Sequence, residues 1–229
     1  MSSVSSVSSV SSVKVLVTGF APFDGAEVNP SWQAAELLAA QPPAGLDISA
    51  VQLSCVFGTA LDELRTAVDA AGDDLRLVVC LGQAGGRADL TVERVAINVD
   101  DARIPDNAGR QPVDEPVVPG GPAAYFSTLP IKACVAAARA AGVPASVSQT
   151  AGTFVCNHVF YGLAHLLATE HPRVRGGFVH VPYSPAQVAT RNPAPPSLSV
   201  PDAVRGLGAL LTAAARTTTD IREPGGATH

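Results

Sequence analysis

Cys156, His158, His180 and Glu93 are the residues of this chain whose types could do covalent chemistry if folding gathered them. Cys156 lies in Ser148-Gln-Thr-Ala-Gly-Thr-Phe-Val-Cys-Asn-His158, and Val155, Val159, Leu163, Leu166 and Leu167 recur at helical spacing. Gly152 permits a tight turn before that helix, and Thr153 is the expected N-cap, which puts Cys156 in the first turn. Unpaired N–H groups and the positive end of the helix dipole favour a thiolate there. The position suits a nucleophile; the alternative is a buried structural thiol.

A cysteine nucleophile needs a base, and often a third group to orient it. Of the five histidines, His229 is terminal and His171 precedes Pro172 in a turn. His165 sits late in the helix that starts near Cys156. His158, two residues beyond the thiol, points around the helix cylinder. His180, near the end of the strand-like run Gly177-Phe-Val-His-Val-Pro182, is the expected base, against a hydrogen-bonded core histidine. Glu93 is embedded in the largely apolar Thr91-Val-Glu-Arg-Val95, where a carboxylate is costly unless paired. It either balances Arg94 or Arg103, or orients an imidazole.

Two other chemistries compete for these atoms. Cys156, His158 and His180 could be metal ligands, but no paired Cys-x-x-Cys or His-Glu-x-x-His spacing supports that, and no metal is expected. Gly82-Gln-Ala-Gly-Gly-Arg87 could cradle an anion, yet it matches neither the Walker pattern nor the dinucleotide fingerprint.

The elements that must position these residues alternate between strand and helix. Strands are predicted over 13–19, 48–57, 77–81, 91–99, 145–148 and 177–182. Helices are predicted over 31–40, 61–71, 130–141, from Cys156 through Leu167, and over 200–214. Leu77-Val-Val-Cys-Leu81 is continuously apolar, as in a sheet covered on both faces. The pattern implies an α/β fold: a single-domain three-layer α/β/α arrangement with a twisted, largely parallel mixed sheet. Ligands in such folds sit beyond the carboxyl ends of strands. Three unusual loops follow inferred strands: Phe20 to Gly25, Gly82 to Arg87, and Gly152 to Cys156. Residues 102–122 form a long irregular segment of the kind that is usually functional.

The chain of 229 residues is 47% hydrophobic, enough for one sizeable core, with a formal net charge of -5 that argues against nucleic acid as a partner. No apolar run approaches the length of a membrane span, so no membrane partner is expected. The four scattered cysteines suit reduced thiols in the cytoplasm. Residues 1–12, a Ser/Val repeat, are expected to be a disordered leader, 13–216 a single catalytic domain, and 217–229 a loose C-terminal tail.

The residues also match something known. From Val15-Leu-Val-Thr-Gly-Phe20 through Val28-Asn-Pro-Ser-Trp32 to Gly177-Phe-Val-His-Val-Pro-Tyr183, the chain resembles the pyroglutamyl peptidase type I (pyrrolidone-carboxylate peptidase) family. The most specific pieces are Gly82 to Arg87, Glu93-Arg-Val-Ala-Ile-Asn98, Ala102-Arg-Ile-Pro-Asp-Asn107 and Ser148 to His158. The resemblance implies a cysteine exopeptidase that removes an N-terminal pyroglutamate from peptides through a thioester. It implies a catalytic Glu93, Cys156 and His180, with Arg103 near the oxyanion. It also implies a lactam pocket of Phe20, Phe23, Ile104, Phe154 and Val155, with Gln83 contacting the lactam and Asn29 on the pocket side. No cofactor, a cytoplasmic location and a homodimer or homotetramer are implied as well. The first loop departs from the family pattern, with Ala21 and Asp24 in place of the more usual Asp and Gly.

Overall fold

The computed structural model describes residues 12–226, so most of the Ser/Val leader lies outside the described residues. In chain order the elements are β1 (Val13–Phe20), α1 (Pro30–Ala40), β2 (Leu46–Leu53), α2 (Thr59–Ala71), β3 (Leu75–Gln83), β4 (Leu90–Glu93) and β5 (Val95–Ile97). They continue with β6 (Ala124–Phe126), α3 (Ile131–Ala140), β7 (Ala145–Ser148), α4 (Val155–Thr169), β8 (Arg175–Val181), α5 (Pro185–Val188) and α6 (Val200–Arg216).

Six strands form one sheet in the order β2-β1-β3-β8-β4-β7. Every neighbouring pair is parallel except β4 and β8, which run antiparallel. The apolar runs alternate between two cores. Val15, Val17, Leu77, Val79, Leu81, Val179 and Val181 face α1, α3 and α6. Leu16, Phe20, Val78, Cys80 and Phe178 face α2 and α4. Both faces are covered, which is why these strands read as unbroken hydrophobic runs. The three-layer α/β/α expectation is borne out.

Four local expectations are corrected. The strand predicted over 91–99 breaks at Arg94: β4 joins the sheet interior, while β5 pairs with β6 in a separate hairpin. The strand predicted to Phe57 stops at Leu53, because Glu63 captures the Ser54 N–H and hydroxyl (both 2.6 Å) and Asp106 takes the Phe57 N–H (2.9 Å). Thr153 does not cap α4. The N-cap residue is Phe154, and the Thr153 hydroxyl donates instead to the Asp101 carbonyl (2.7 Å). The segment after Arg216 is tied down where a loose tail was expected: Asp220 accepts from the Lys132 and Ala133 N–H groups at the head of α3 (3.0 and 2.9 Å). Further along, Arg94 Nη2 donates to the Gly225 carbonyl (3.0 Å).

The irregular segment 98–122 packs over the carboxyl end of the sheet. Asn157 on α4 accepts from the Ile97 N–H and donates to the Ile97 and Val99 carbonyls. Asp106 binds the Phe57, Ala108 and Arg110 N–H groups. Buried backbone groups in a long loop need such partners, and these side chains supply them.

Candidate active site

Glu93 ends β4 and is fully buried. Its side chain lies on the α4 face, because Val92 beside it packs into the opposite core. His180 near the end of β8 lies on the same face as Phe178, and its register partner on β4 is Thr91, two residues before Glu93. His180 Nδ1 donates to Glu93 Oε1 at 2.7 Å. A carboxylate only accepts, so the proton sits on Nδ1 and leaves Nε2 as the basic nitrogen.

Cys156 is the second residue of α4. Its sulfur lies over Gly82, which is the register partner of His180 on β3. A Cβ at Gly82 would stand 2.9 Å from Sγ and 2.7 Å from the Phe178 ring, so only glycine lets the thiol settle onto the sheet beside the imidazole. Gly152, at φ 78, makes the turn that delivers the helix, as expected. Among the described residues no side chain caps α4, and the N–H groups of its first turn, which lack intrahelical partners, face the thiol's end of the helix.

The arginine that meets Glu93 is neither Arg94 nor Arg103. It is Arg87, whose Nη1 donates to the same Oε1 at 2.7 Å and also to Thr91 Oγ1, while Nη2 donates to the Thr150 carbonyl at 3.1 Å. The salt-bridge reading and the imidazole reading of Glu93 therefore hold together on one oxygen. Oε2 is buried without a partner among the described residues. Arg94 turns away to Gln149 and Gly225. Arg103 is exposed and makes no hydrogen bond or ion pair among the described residues.

Burial dominates the electrostatics. It pushes the Cys156 thiol well above its usual range, Cys55 and Glu93 add to the rise, and Arg87 opposes it. Burial also pulls His180 below the usual imidazole range, against the raising effect of the Glu93 hydrogen bond and charge; Arg87 lowers it further. Burial thus works against the thiolate that helix position alone favours, and against the imidazolium that Glu93 favours.

Of the expected pocket residues, Phe154 packs against Phe23 (centroids 6.2 Å) and edge-on against Phe57 (5.4 Å). Phe20 tilts against Phe178 (6.4 Å), which in turn lies 4.9 Å from the His180 ring. Val155 is fully buried at the head of α4, and Ile104 is half-buried in the overlying loop. Two residues have other occupations. Asn29 caps α1 by accepting from the Ser31 N–H and hydroxyl, and it donates to the Ala21 carbonyl. Gln83 alternates with Gly82 along β3, and its Oε1 accepts from Gln187 (2.8 Å).

His158, which points around the helix cylinder from Cys156, is structural. Nδ1 donates to Asp100 Oδ2 (2.7 Å), and Nε2 accepts from the Gly58 N–H (3.0 Å). Both ring nitrogens are used, which removes it from any metal set with Cys156 and His180. Its ring stands edge-on to Phe57 (5.3 Å), so this pair underpins the Phe57–Phe154–Phe23 wall.

A helix-borne thiol, a buried imidazole and a carboxylate gathered on the α4 face of a three-layer sheet have the form of a thiol hydrolase. The comparisons with known proteins narrow that class. The pyroglutamyl peptidase family model matches residues 13–217, and the chain belongs to that family. It is 66% identical over 218 residues to the pyrrolidone-carboxylate peptidase of Streptomyces coelicolor, covering 94% of this chain and 99% of that protein. The crystal structure of pyroglutamyl peptidase I from Bacillus amyloliquefaciens superposes with a TM-score of 0.89 at 46% identity, over 93% of this chain and all of that one. The pyrrolidone carboxyl peptidase from Thermococcus litoralis gives 0.88 at 33% identity, over 92% and 99% of the two chains.

Proposed function

We propose that this protein is a cysteine exopeptidase that hydrolyses the bond after an N-terminal pyroglutamyl (5-oxoprolyl) residue of peptides. The observation that carries this reading is the buried His180–Glu93 hydrogen bond beside Cys156, in a chain of this family. His180 Nε2 takes the thiol proton as Sγ attacks the pyroglutamyl carbonyl. The oxyanion falls to the first-turn N–H groups of α4, with Arg103 as the further cation that the resemblance supplies. The C–N bond then breaks, His180 returns its proton to the leaving amine, and Cys156 keeps the acyl group as a thioester. Water, deprotonated by His180, cleaves the thioester and regenerates the thiol. Glu93 orients the imidazole and offsets its charge in the transition state.

The lactam is small and uncharged. Walls formed by Phe20, Phe23, Phe154, Val155 and Ile104 accept it, whereas a free α-ammonium would lose its hydration without a partner. The proposal extends to a cytoplasmic enzyme without a cofactor, assembled as a homodimer or homotetramer. The four free thiols fit a reducing compartment, and exposed Phe126 offers apolar surface for self-association. The test is release of a fluorescent amine from its pyroglutamyl amide, before and after alkylation with iodoacetamide. Release that stops on alkylation is expected. No release by the untreated protein, or release unaffected by full alkylation, contradicts the proposal.

A further inference from the structure

The Gly82-to-Arg87 loop matched no phosphate-binding pattern, and the mechanism above gives its arginine no task. The geometry does. Arg87 is about one quarter exposed, yet three of its hydrogen bonds reach into the site: to Glu93 Oε1, to Thr91 Oγ1 and to the Thr150 carbonyl. Thr91 is the register partner of His180, and Thr150 lies in the loop that delivers Cys156 to the sheet. One guanidinium thus touches the orienting carboxylate, the strand opposite the base, and the approach to the nucleophile.

Its position on Glu93 matters most. The carboxylate has two oxygens, but Oε2 is buried without a partner among the described residues, and both His180 and Arg87 use Oε1. A carboxylate oxygen that already accepts from a cation attracts a second proton donor less strongly. Resting on the function proposed above, we infer that Arg87 is a positioning residue that limits how firmly Glu93 can hold a proton on His180, while its second nitrogen fixes the loop ahead of Cys156. A planar fork can do both at once; a lysine ammonium supplies the charge without the geometry.

The charged and titratable groups facing the imidazole are Glu93 on β4, Arg87 on the loop before it, and the Cys156 thiol at the head of α4; β3 presents Gly82. Removing the guanidinium leaves Glu93 wholly to His180, so the imidazolium is favoured and the base is lost at a higher pH. The alternative role, merely keeping Glu93 ionised, has the opposite sign. Without Arg87 the carboxyl would then take up a proton and cease to favour the imidazolium.

The experiment is the pH profile of kcat/KM on a pyroglutamyl reporter for the wild type, Arg87→Met and Arg87→Lys, with rates normalised to titrated thiol. In Arg87→Met the acid limb should move to higher pH. In Arg87→Lys the limb should stay near the wild-type position while kcat falls about tenfold, because the link to Thr150 is lost. An acid limb of Arg87→Met that is unmoved or displaced to lower pH overturns the inference, as does full kcat in Arg87→Lys. Should Arg87→Met fail to fold, Arg87→Gln carries the limb measurement and the lysine variant carries the kcat measurement. Wild-type protein inert toward the reporter would instead overturn the proposed function, and this inference with it.

Discussion

Replacing Glu93 by glutamine separates charge from shape at the site. Arg87 presents only donors, so the new carboxamide must turn its oxygen toward Arg87 and His180, where Oε1 now sits. The imidazole keeps its Nδ1–H tautomer, and Nε2 remains available to Cys156. Two things change. The amide NH2 takes the place of Oε2, already buried without a partner among the described residues, while the Arg87 ion pair becomes a hydrogen bond to an uncharged oxygen, which lowers folding stability by about 1 kcal/mol. The imidazolium formed in the transition state also loses its counter-charge, so a charge-assisted bond becomes a neutral one. That difference is about 1.5–2 kcal/mol, since Arg87 already offsets part of the carboxylate's field. It corresponds to roughly a ten- to thirtyfold fall in kcat, with KM little changed. The measurement is kcat and kcat/KM across pH, normalised to titrated thiol and paired with a thermal melt. Wild-type turnover from a protein with a lowered melting temperature would refute the reasoning. Glu93 would then be a partner of Arg87 only, and Cys156 and His180 a dyad.

Cys156→Ser should fold and bind pyroglutamyl peptide but lose more than about a thousandfold in turnover, because a hydroxyl lacks the nucleophilicity of sulfur; near-normal rates with the mass confirmed would remove Cys156 as nucleophile. In the wild type the acid limb of kcat/KM should fall below the ordinary histidine range. Burial lowers His180, so the base stays neutral to a lower pH, and a limb above that range would contradict the site's electrostatics. Phe23→Ala should raise KM for pyroglutamyl substrates about tenfold by removing part of the apolar wall against Phe154, and an unchanged KM would place Phe23 outside the pocket. His158→Leu should cost roughly 3 kcal/mol in a denaturant titration, because Asp100 is left buried without its partner; a loss under about 1 kcal/mol would mean that the Asp100–His158 pair does not hold the loop.

Much of this architecture was legible in the chain. Alternating apolar runs gave the layers, and glycine before a helical stripe gave the turn that delivers Cys156. A carboxylate inside an apolar strand gave Glu93. The partners were harder to read, because most come from distant segments and spacing alone does not say which side chain turns inward. Arg94 and Arg103 both follow Glu93 in sequence, but the arginine that meets it is Arg87, six residues before it in the loop at 84–89 that leads into β4. His158 does point around the helix as its spacing says, yet its partner Asp100 is 58 residues away and carries no local signature. The antiparallel junction of β4 and β8 was equally hidden, since nothing in either strand encodes its direction. Thr153 misled because its hydroxyl had a competing acceptor in Asp101, and a capping preference is only as strong as its local competition.

The anchored segment after Arg216 has a bearing on handling the protein. β7 is a four-residue strand at the margin of the sheet, and such margins invite pairing with another molecule. Gly225 lies against Val147 on that strand, and its carbonyl holds Arg94 and Gln149, the residues that directly follow the ends of β4 and β7. A chain trimmed at residue 216 would therefore uncover a sticky rim before it disturbed the thiol. Its first symptom would be turbidity on concentration, with specific activity per soluble molecule still intact.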